Sequence, residues 1–346
     1  MWRPGVSDDG RSPRPEHDPP SAADEYVPSG SYFKQVPRLL SLYVRVEDQE
    51  YSVALSIVTK DRFRTTVETL LQVDLDAFDD VIVVDDSEGP SLGEWCRDRP
   101  ISYFEGPGHN RQAARNLAID KCEADLMAFV DDDVLLPTDF AGRVRRAFER
   151  RPEAVAIGGP TLSDAPEGAR DVCYRRKMTV NRWTGTVHDD SYRWVPSAPR
   201  EVDLLKGANM IVKRAALESI GGFDLAFGGP AQREETDVCV RIARLGPIVY
   251  DPSLVCFHKQ TGGSGFSGSQ VEWRFRNHGY FVRKNFGTAV FLFGFLGVFL
   301  RLCGNPESFV QLVFRRVVLR QSFSIPRVLY AYFSPPVEGE PAGIGA

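Results

Sequence analysis

Two apolar runs of strand length each end in adjacent aspartates. Residues 81–84 (VIVV) run into Asp85-Asp86, and residues 126–130 (LMAFV) run into Asp131-Asp132-Asp133. Runs of four or five apolar residues read as buried parallel strands, and open α/β sheets hold ligands at the carboxyl ends of such strands. Three neighbouring carboxylates repel one another unless a cation sits among them. Hard divalent metals such as Mg²⁺ or Mn²⁺ take oxygen ligands of this kind and bridge to substrate phosphates. The ordinary alternative is a solvated acidic turn. The flanking strand favours a metal-nucleotide site.

The rest of the chain supports a sheet of this type. Strands are predicted at 53–59, 81–85, 101–105, 126–130 and 154–157, with helices at 64–71, 92–97, 110–122 and from Pro137 to Arg150 between and after them. That βαβα rhythm predicts an α/β fold with a doubly wound, mostly parallel sheet flanked by helices. Beyond Pro160 the rhythm breaks into a polar, irregular stretch at 161–200, the composition of a binding loop or lid. Residues 202–212 then read as extended, 234–245 as a helix, and 248–250 and 254–257 as strands.

Composition excludes several function classes. A net charge of −5 over 346 residues is unlike a dedicated nucleic-acid binder, so no nucleic-acid partner is expected. Six cysteines with no CxxC pair suggest neither a zinc knuckle nor a disulfide framework, and reduced cytoplasmic thiols are the simple expectation. Residues 1–35, rich in Pro, Ser, Asp and Arg, read as a disordered tail without a signal peptide, and 331–346 as a flexible tail. Residues 286–300 are uncharged and very apolar, but fifteen residues fall short of the ~20 that a spanning helix needs. At 308–320 one helical face is apolar and the other carries Arg315, Arg316 and Arg320. Residues 286–330 therefore read as apolar and amphipathic helices with the character of a membrane-surface attachment, or equally of a buried helix pair or dimer contact. The expected location is the cytoplasmic face of the cell membrane.

Four segments in order carry a family resemblance: SIVTKDR at 56–62, VIVVDDS at 81–87, RQAARN…LMAFVDDDV at 111–134, and GGFD…EETDVCVRIARLG at 221–246. Together they resemble the family 2 glycosyltransferases, nucleotide-sugar-dependent enzymes of the GT-A fold, with the catalytic domain at 51–285. The resemblance implies an inverting transfer of a sugar from a nucleotide-diphosphate donor to the hydroxyl of a glycan or lipid-linked glycan, with Mn²⁺ or Mg²⁺ as cofactor. It implies that Thr59, Asp61, Arg62, Asp85, Asp86, Arg115 and Asp131 bind the nucleotide. Asp86 has the simpler alternative of capping the following turn, and Arg115 that of a surface ion pair. Asp131 and Asp133 fit the family's DxD pattern as metal ligands, and His258 stands where many relatives place a third, although a histidine satisfied by backbone would look the same.

The catalytic base is sought among Glu234, Glu235 and Asp237. Relatives show Glu-Asp-x-Asp here, so Glu235 departs from the pattern by one methylene and leaves the assignment among the three open. Acids also favour helix N-termini for their own sake. Gly207 and Asn209 resemble the family's G-x-N segment, where glycine permits close approach to a sugar and asparagine hydrogen-bonds its hydroxyls. Trp194 and Trp183 are candidates for stacking on the acceptor, though tryptophan is more often core. The glycine-rich 261–268 would suit a lid over the pyrophosphate. Two rivals stand. Gly106-x-Gly108 after a strand suggests a dinucleotide-dependent oxidoreductase but lacks the third glycine. A membrane-associated scaffold would keep the fold and bind nucleotide without turnover.

Overall fold

The computed structural model describes residues 51–89, 92–108, 110–163, 178–189, 194–229, 231–259, 268–304 and 325–335. The expected tail at 1–35, the amphipathic stretch at 308–320, the glycine-rich 260–267 and residues 336–346 lie outside them.

Strand and helix alternate as the apolar periodicity predicts. β1 (Val53–Thr59), α1 (Phe63–Leu70), β2 (Asp80–Asp85), α2 (Gly93–Cys96), β3 (Ser102–Glu105), α3 (Arg111–Lys121) and β4 (Leu126–Asp131) follow in order. Next come β5 (Val134–Leu135), α4 (Phe140–Arg150), β6 (Ala156–Gly158), β7 (Thr161–Ser163), and a hairpin of β8 (Thr179–Val180) and β9 (Val187–His188). β10 (Arg200–Glu201), β11 (Met210–Lys213), α5 (Arg214–Ser219), α6 (Glu234–Ile242), β12 (Ile248–Tyr250), β13 (Cys256–His258), α7 (Gly268–Gly304) and α8 (Ile325–Phe333) complete the order.

Eight strands form one sheet in the order β10–β12–β6–β11–β4–β1–β2–β3. Its β1, β2, β3 and β4 pair in parallel, as do β6 and β12, while β11 runs antiparallel between β4 and β6. Alternation along β1 explains the two layers. Val53, Leu55 and Ile57 join one buried cluster with Leu70 of α1 and Phe140, Val144 and Phe148 of α4. Ala54 points the other way, into a cluster with Met127, Phe129, Ala114 of α3 and Val238 of α6. Both faces are covered, so the strands are apolar throughout.

Several boundaries differ from expectation. The extended 202–212 shrinks to β11 because Gly207–Asn209 makes a 3₁₀ turn just before it. Pro137 does not open α4 but stands one turn ahead, its carbonyl accepting from Phe140 N–H at 3.0 Å. The apolar 286–300 belongs to α7, which starts at Gly268 and breaks at Gly287, where φ is 83°. α8 packs back on α7 through a Phe291–Tyr332 stack with centroids 4.8 Å apart, and runs two residues past the expected tail boundary at 331. Among the described residues no helix is long and apolar enough to cross a membrane. Cys96, Cys122, Cys239 and Cys256 are free and buried.

The two tryptophans proposed for the acceptor separate. Trp194 is 9% exposed and stacks on Tyr250, rings parallel and 5.0 Å apart, whereas Trp183 at the hairpin is 83% exposed. Trp194→Ala is expected to cost about 3–5 kcal/mol in urea unfolding through the cavity it leaves. Trp183→Ala should stay within about 0.5 kcal/mol. Equal losses would contradict the difference in burial.

Candidate active site

The end of β4 brings three carboxylates to one sheet edge, and Arg62, Thr59, His258 and Arg115 share them. Arg62, just beyond β1, sends Nη1 to Asp132 and Nη2 to Asp133, both at 2.8 Å. Thr59 donates its hydroxyl to Asp132 at 2.7 Å, and Thr69 donates to the Asp132 carbonyl at 2.8 Å. Asp132 is thereby sealed away from the cavity. Burial pushes its carboxyl up to about 6, with Asp133 and Asp131 adding to the rise and Arg62 and Thr59 opposing it.

His258 arrives from a remote part of the chain. β13 pairs antiparallel with β5, setting His258 opposite Val134, one residue from Asp133. Its Nε2 lies 3.2 Å from Asp133 Oδ1 and 3.7 Å from Asp131 Oδ2. Ligand atoms of Asp131, Asp133 and His258 all fall within 4.8 Å of one another. Burial alone would lower the imidazole pKa, but the two carboxylates hold its proton and raise it above 6.5. Burial would likewise raise Asp131; His258, Arg111 and Arg115 outweigh it and keep that carboxyl well below the usual range.

Arg115 forms the second centre. Projecting from α3, its guanidinium donates to Glu234 at 2.9 Å and lies 3.5 Å from Glu235 and 3.8 Å from Asp131. The Phe223 ring sits 5.2 Å from its Cζ. Arg115 is thus the buried link between the β4 carboxylates and the first turn of α6, not a surface ion pair. Glu234 is 2% exposed, and burial pushes its carboxyl up against the pull of Arg115 and Arg111. Glu235 is 23% exposed and lines a cavity of about 410 Å³ with Asp131, Arg111, Gly207, Glu234 and Arg233. A Cβ on Gly207 would collide with Glu235 Oε1 and the Arg115 guanidinium, so only glycine lets the 3₁₀ turn pass so near.

Thr59, Asp61, Arg62, Asp85 and Asp86 gather at the adjacent carboxyl ends of β1 and β2, where Thr59 pairs in register with Asp85. Asp85 is the acid that caps the following turn: it accepts from Ser87 and, at 2.9 Å, from Leu92 N–H. The capping alternative was expected of Asp86, which instead accepts from Gly108 N–H at 2.7 Å. Asp61 accepts from Glu88 N–H at 3.1 Å.

Three expected site residues stand elsewhere. Asp237 is 0% exposed and binds Arg241 Nε at 2.8 Å, Lys284 at 2.9 Å and Asn285 at 2.8 Å, tying α6 to α7. The helix itself separates it from Glu235, since two residues are about 200° of turn. Asn209 is buried, its amide donating to the Leu254 carbonyl at 2.6 Å, behind the cavity wall. Trp194 is core. Arg233, Arg274, Lys206 and Asp189 line the cavity without having been singled out: Arg233 and Lys206 flank the acidic and G-x-N motifs without being part of either pattern, and packing brings Asp189 and Arg274 to the same wall.

Residues 57–197 match the family model described as glycosyl transferase family 2. That segment, which runs from β1 to the stretch before β10, is similar to the family 2 glycosyltransferases. Over 200 residues, 53% of its length, the chain is 26% identical to the glucosyl-dolichyl phosphate glucuronosyltransferase of Haloferax volcanii. The match spans 58% of that relative. Among solved structures, S. aureus TarS 1–349 in complex with UDP-GlcNAc aligns over 81% of this chain and 79% of its own, with TM-score 0.52 and 14% identity. Another structure of TarS 1–349 gives TM-score 0.50 over 75% and 74% at 12% identity. At such identities the likeness is one of fold, and the GT-A-type α/β sheet expected from the sequence is the one observed. The oxidoreductase alternative falls with the family match: Gly106 and Gly108 close over Asp86 instead.

Asp237→Ala would remove the carboxylate shared by Lys284, Arg241 and Asn285, leaving Arg241 without its ion pair and Lys284 with Asp224 alone. It is expected to cost about 3–5 kcal/mol in chemical denaturation, against under about 1 kcal/mol for Glu235→Gln at the cavity edge. A loss at Asp237 no greater than at Glu235 would remove it from its inter-helix role.

Proposed function

We propose that the chain moves a sugar from a nucleotide-diphosphate sugar to an acceptor hydroxyl, with inversion, by single displacement. One observation carries this reading: Arg115 lies 3.8 Å from Asp131 and 3.5 Å from Glu235, so a single guanidinium spans the leaving-group and acceptor ends of the cavity.

Asp131, Asp133 and His258 would hold the divalent cation. Two carboxylates and one imidazole within 4.8 Å form a mixed oxygen–nitrogen donor set, which suits Mn²⁺ better than Mg²⁺. When bound, the ion supplies Lewis-acid neutralisation of the departing diphosphate. Thr59, Asp61, Arg62, Asp85 and Asp86, at the neighbouring strand ends, bind base and ribose; carboxylates already accepting one or two bonds keep further lone pairs for them. Glu235 takes the acceptor proton, being the acid open to the cavity. Glu234, buried on Arg115, positions that guanidinium. Gly207 admits the donor sugar beside Glu235.

The acceptor is a glycan or lipid-linked glycan. Support comes from the Haloferax relative, named for action on a glucosyl-dolichyl phosphate, and from the apolar side chains Leu292, Phe293 and Tyr330, which α7 and α8 leave exposed. Those residues would lie on a bilayer surface. The nucleotide sugar bound by TarS supports the donor class.

Glu235→Gln is expected to lower kcat by roughly 10²–10⁴-fold while donor Kd stays within about twofold; a parallel loss of donor affinity would move Glu235 to the donor subsite. Mn²⁺ must displace the His258 proton, whose pKa is raised above 6.5. Metal affinity measured by calorimetry should therefore climb with pH and fall as His258 becomes protonated. An affinity flat between ~pH 5.5 and ~pH 8, or unchanged in Asp133→Asn, would sink the metal assignment.

A further inference from the structure

Three remote pieces of the chain meet at Gly294 of α7. A Cβ placed there would lie 2.8 Å from the Thr184 carbonyl, at the tip of the β8–β9 hairpin, and 3.0 Å from the Tyr332 hydroxyl of α8. Gly185, at φ 66°, brings the same tip against Val282, so the hairpin touches α7 on both sides of the break at Gly287. The tip is also closed by its own hydrogen bonds. Asn181 Oδ1 accepts from Trp183 N–H at 3.0 Å and Thr184 N–H at 3.1 Å, and the Asn181 carbonyl accepts from Gly185 at 2.7 Å. A turn held this firmly still leaves Trp183 83% exposed. Leu292 and Phe293, just before Gly294, and Tyr330 and Phe333, on either side of Tyr332, are between 41% and 75% exposed. Large apolar side chains clustered in water mark a surface that meets a partner.

The surrounding charge has one sign. Residues 273–306 carry five Lys/Arg and no Asp or Glu, α8 holds Arg327 and no acid, and Arg182 stands beside Trp183. Arg182, Arg283 and Arg327 are exposed. Tryptophan and tyrosine, apolar in body and polar at one tip, are enriched where hydrocarbon meets headgroups. Basic residues beside them add attraction to anionic lipid. A second copy is the poorer fit, because a two-fold contact would set this basic surface against itself.

We infer that the β8–β9 tip and the paired ends of α7 and α8 form one docking surface for an anionic bilayer, with Trp183 as its aromatic anchor. The contact lies in the interface plane, as on amphipathic helices that rest on a membrane. The inference rests on the reading of a lipid-linked acceptor and gives that acceptor a route. Val187, on β9, and Asp189 after it line the cavity, with no more than about 14 Å of chain between Trp183 and Val187. Docking at Trp183 therefore brings the cavity to the headgroup layer.

The full chain is sedimented with vesicles of phosphatidylcholine alone and of phosphatidylcholine with phosphatidylglycerol at roughly 3:1. Binding to the anionic vesicles is expected to be at least about fivefold tighter. It should weaken at least about tenfold in Trp183→Ala and in Phe293→Ser. Trp183→Tyr keeps an interfacial aromatic and should stay within about threefold of wild type. Leu71→Ala is the control: Leu71 is exposed too, but follows α1, which covers the opposite face of the sheet, and its loss should leave binding unchanged. Absence of wild-type binding to either vesicle overturns the proposal, as does a Trp183→Ala protein that binds like the wild type. Equal binding to both vesicles overturns the role of headgroup charge. A wild-type dimer in ultracentrifugation that Trp183→Ala converts to monomer overturns the bilayer assignment in favour of a second copy. Calorimetry with UDP and GDP in the presence of Mn²⁺ separates this inference from the transfer reading. Nucleotide uptake without vesicle binding leaves glycosyl transfer standing and sinks the docking surface. Trp183-dependent vesicle binding without nucleotide uptake does the reverse.

Discussion

A single buried guanidinium organises this candidate site. Arg115 leaves α3 beneath the carboxyl end of β4 and meets Glu234 at 2.9 Å, Glu235 at 3.5 Å and Asp131 at 3.8 Å. Taking such charges out of water is costly, and the cost is met only when partners are close and numerous. Two acids of α6 and one of β4 meet it here. The consequence is mechanical as well as electrostatic, since α6 cannot shift along the sheet without uncovering a buried charge. Glu234 makes the shorter contact with Arg115, and Glu235 is the more exposed of the two.

A similar economy governs the aspartate run. Three carboxylates in sequence would be self-destabilising, but each faces its own combination of neighbours. Asp132 goes inward to Thr59 and Arg62, Asp133 is shared between Arg62 and His258, and Asp131 faces the cavity between His258 and Arg115. The central acid thus stabilises the turn, and the outer two are held at a spacing that a divalent cation bridges. Arg62 and His258 partly neutralise the turn in the cation's absence.

The same logic separates function from architecture along α6. Its first turn presents Glu234 and Glu235 to Arg115, while Asp237 faces Lys284, Asn285 and Arg241. Acids three positions apart serve different layers of the protein. The inter-helix set anchors α7, from which Arg274 reaches the cavity.

Much of this was legible in the residues alone. Alternating apolar runs ending in acids gave away the sheet and its ligand edge, because strand burial and side-chain alternation depend on neighbours within a few positions. The ordered motifs pointed to the family, and the DxD spacing to two of the three clustered ligand groups. Other features needed distant partners. His258 joins Asp131 and Asp133 only through the register of β13 on β5, more than a hundred residues apart in the chain. Trp194 became core because β12 placed Tyr250 against it, and Asn209 turned inward to Leu254. That Glu234 and Glu235 line the cavity while Asp237 turns to Lys284 and Asn285 follows from the packing of α6 against α7. Local propensity specifies an element and its polarity; which faces meet is decided by long-range burial, where the cost of leaving a charge unpaired selects one arrangement among many.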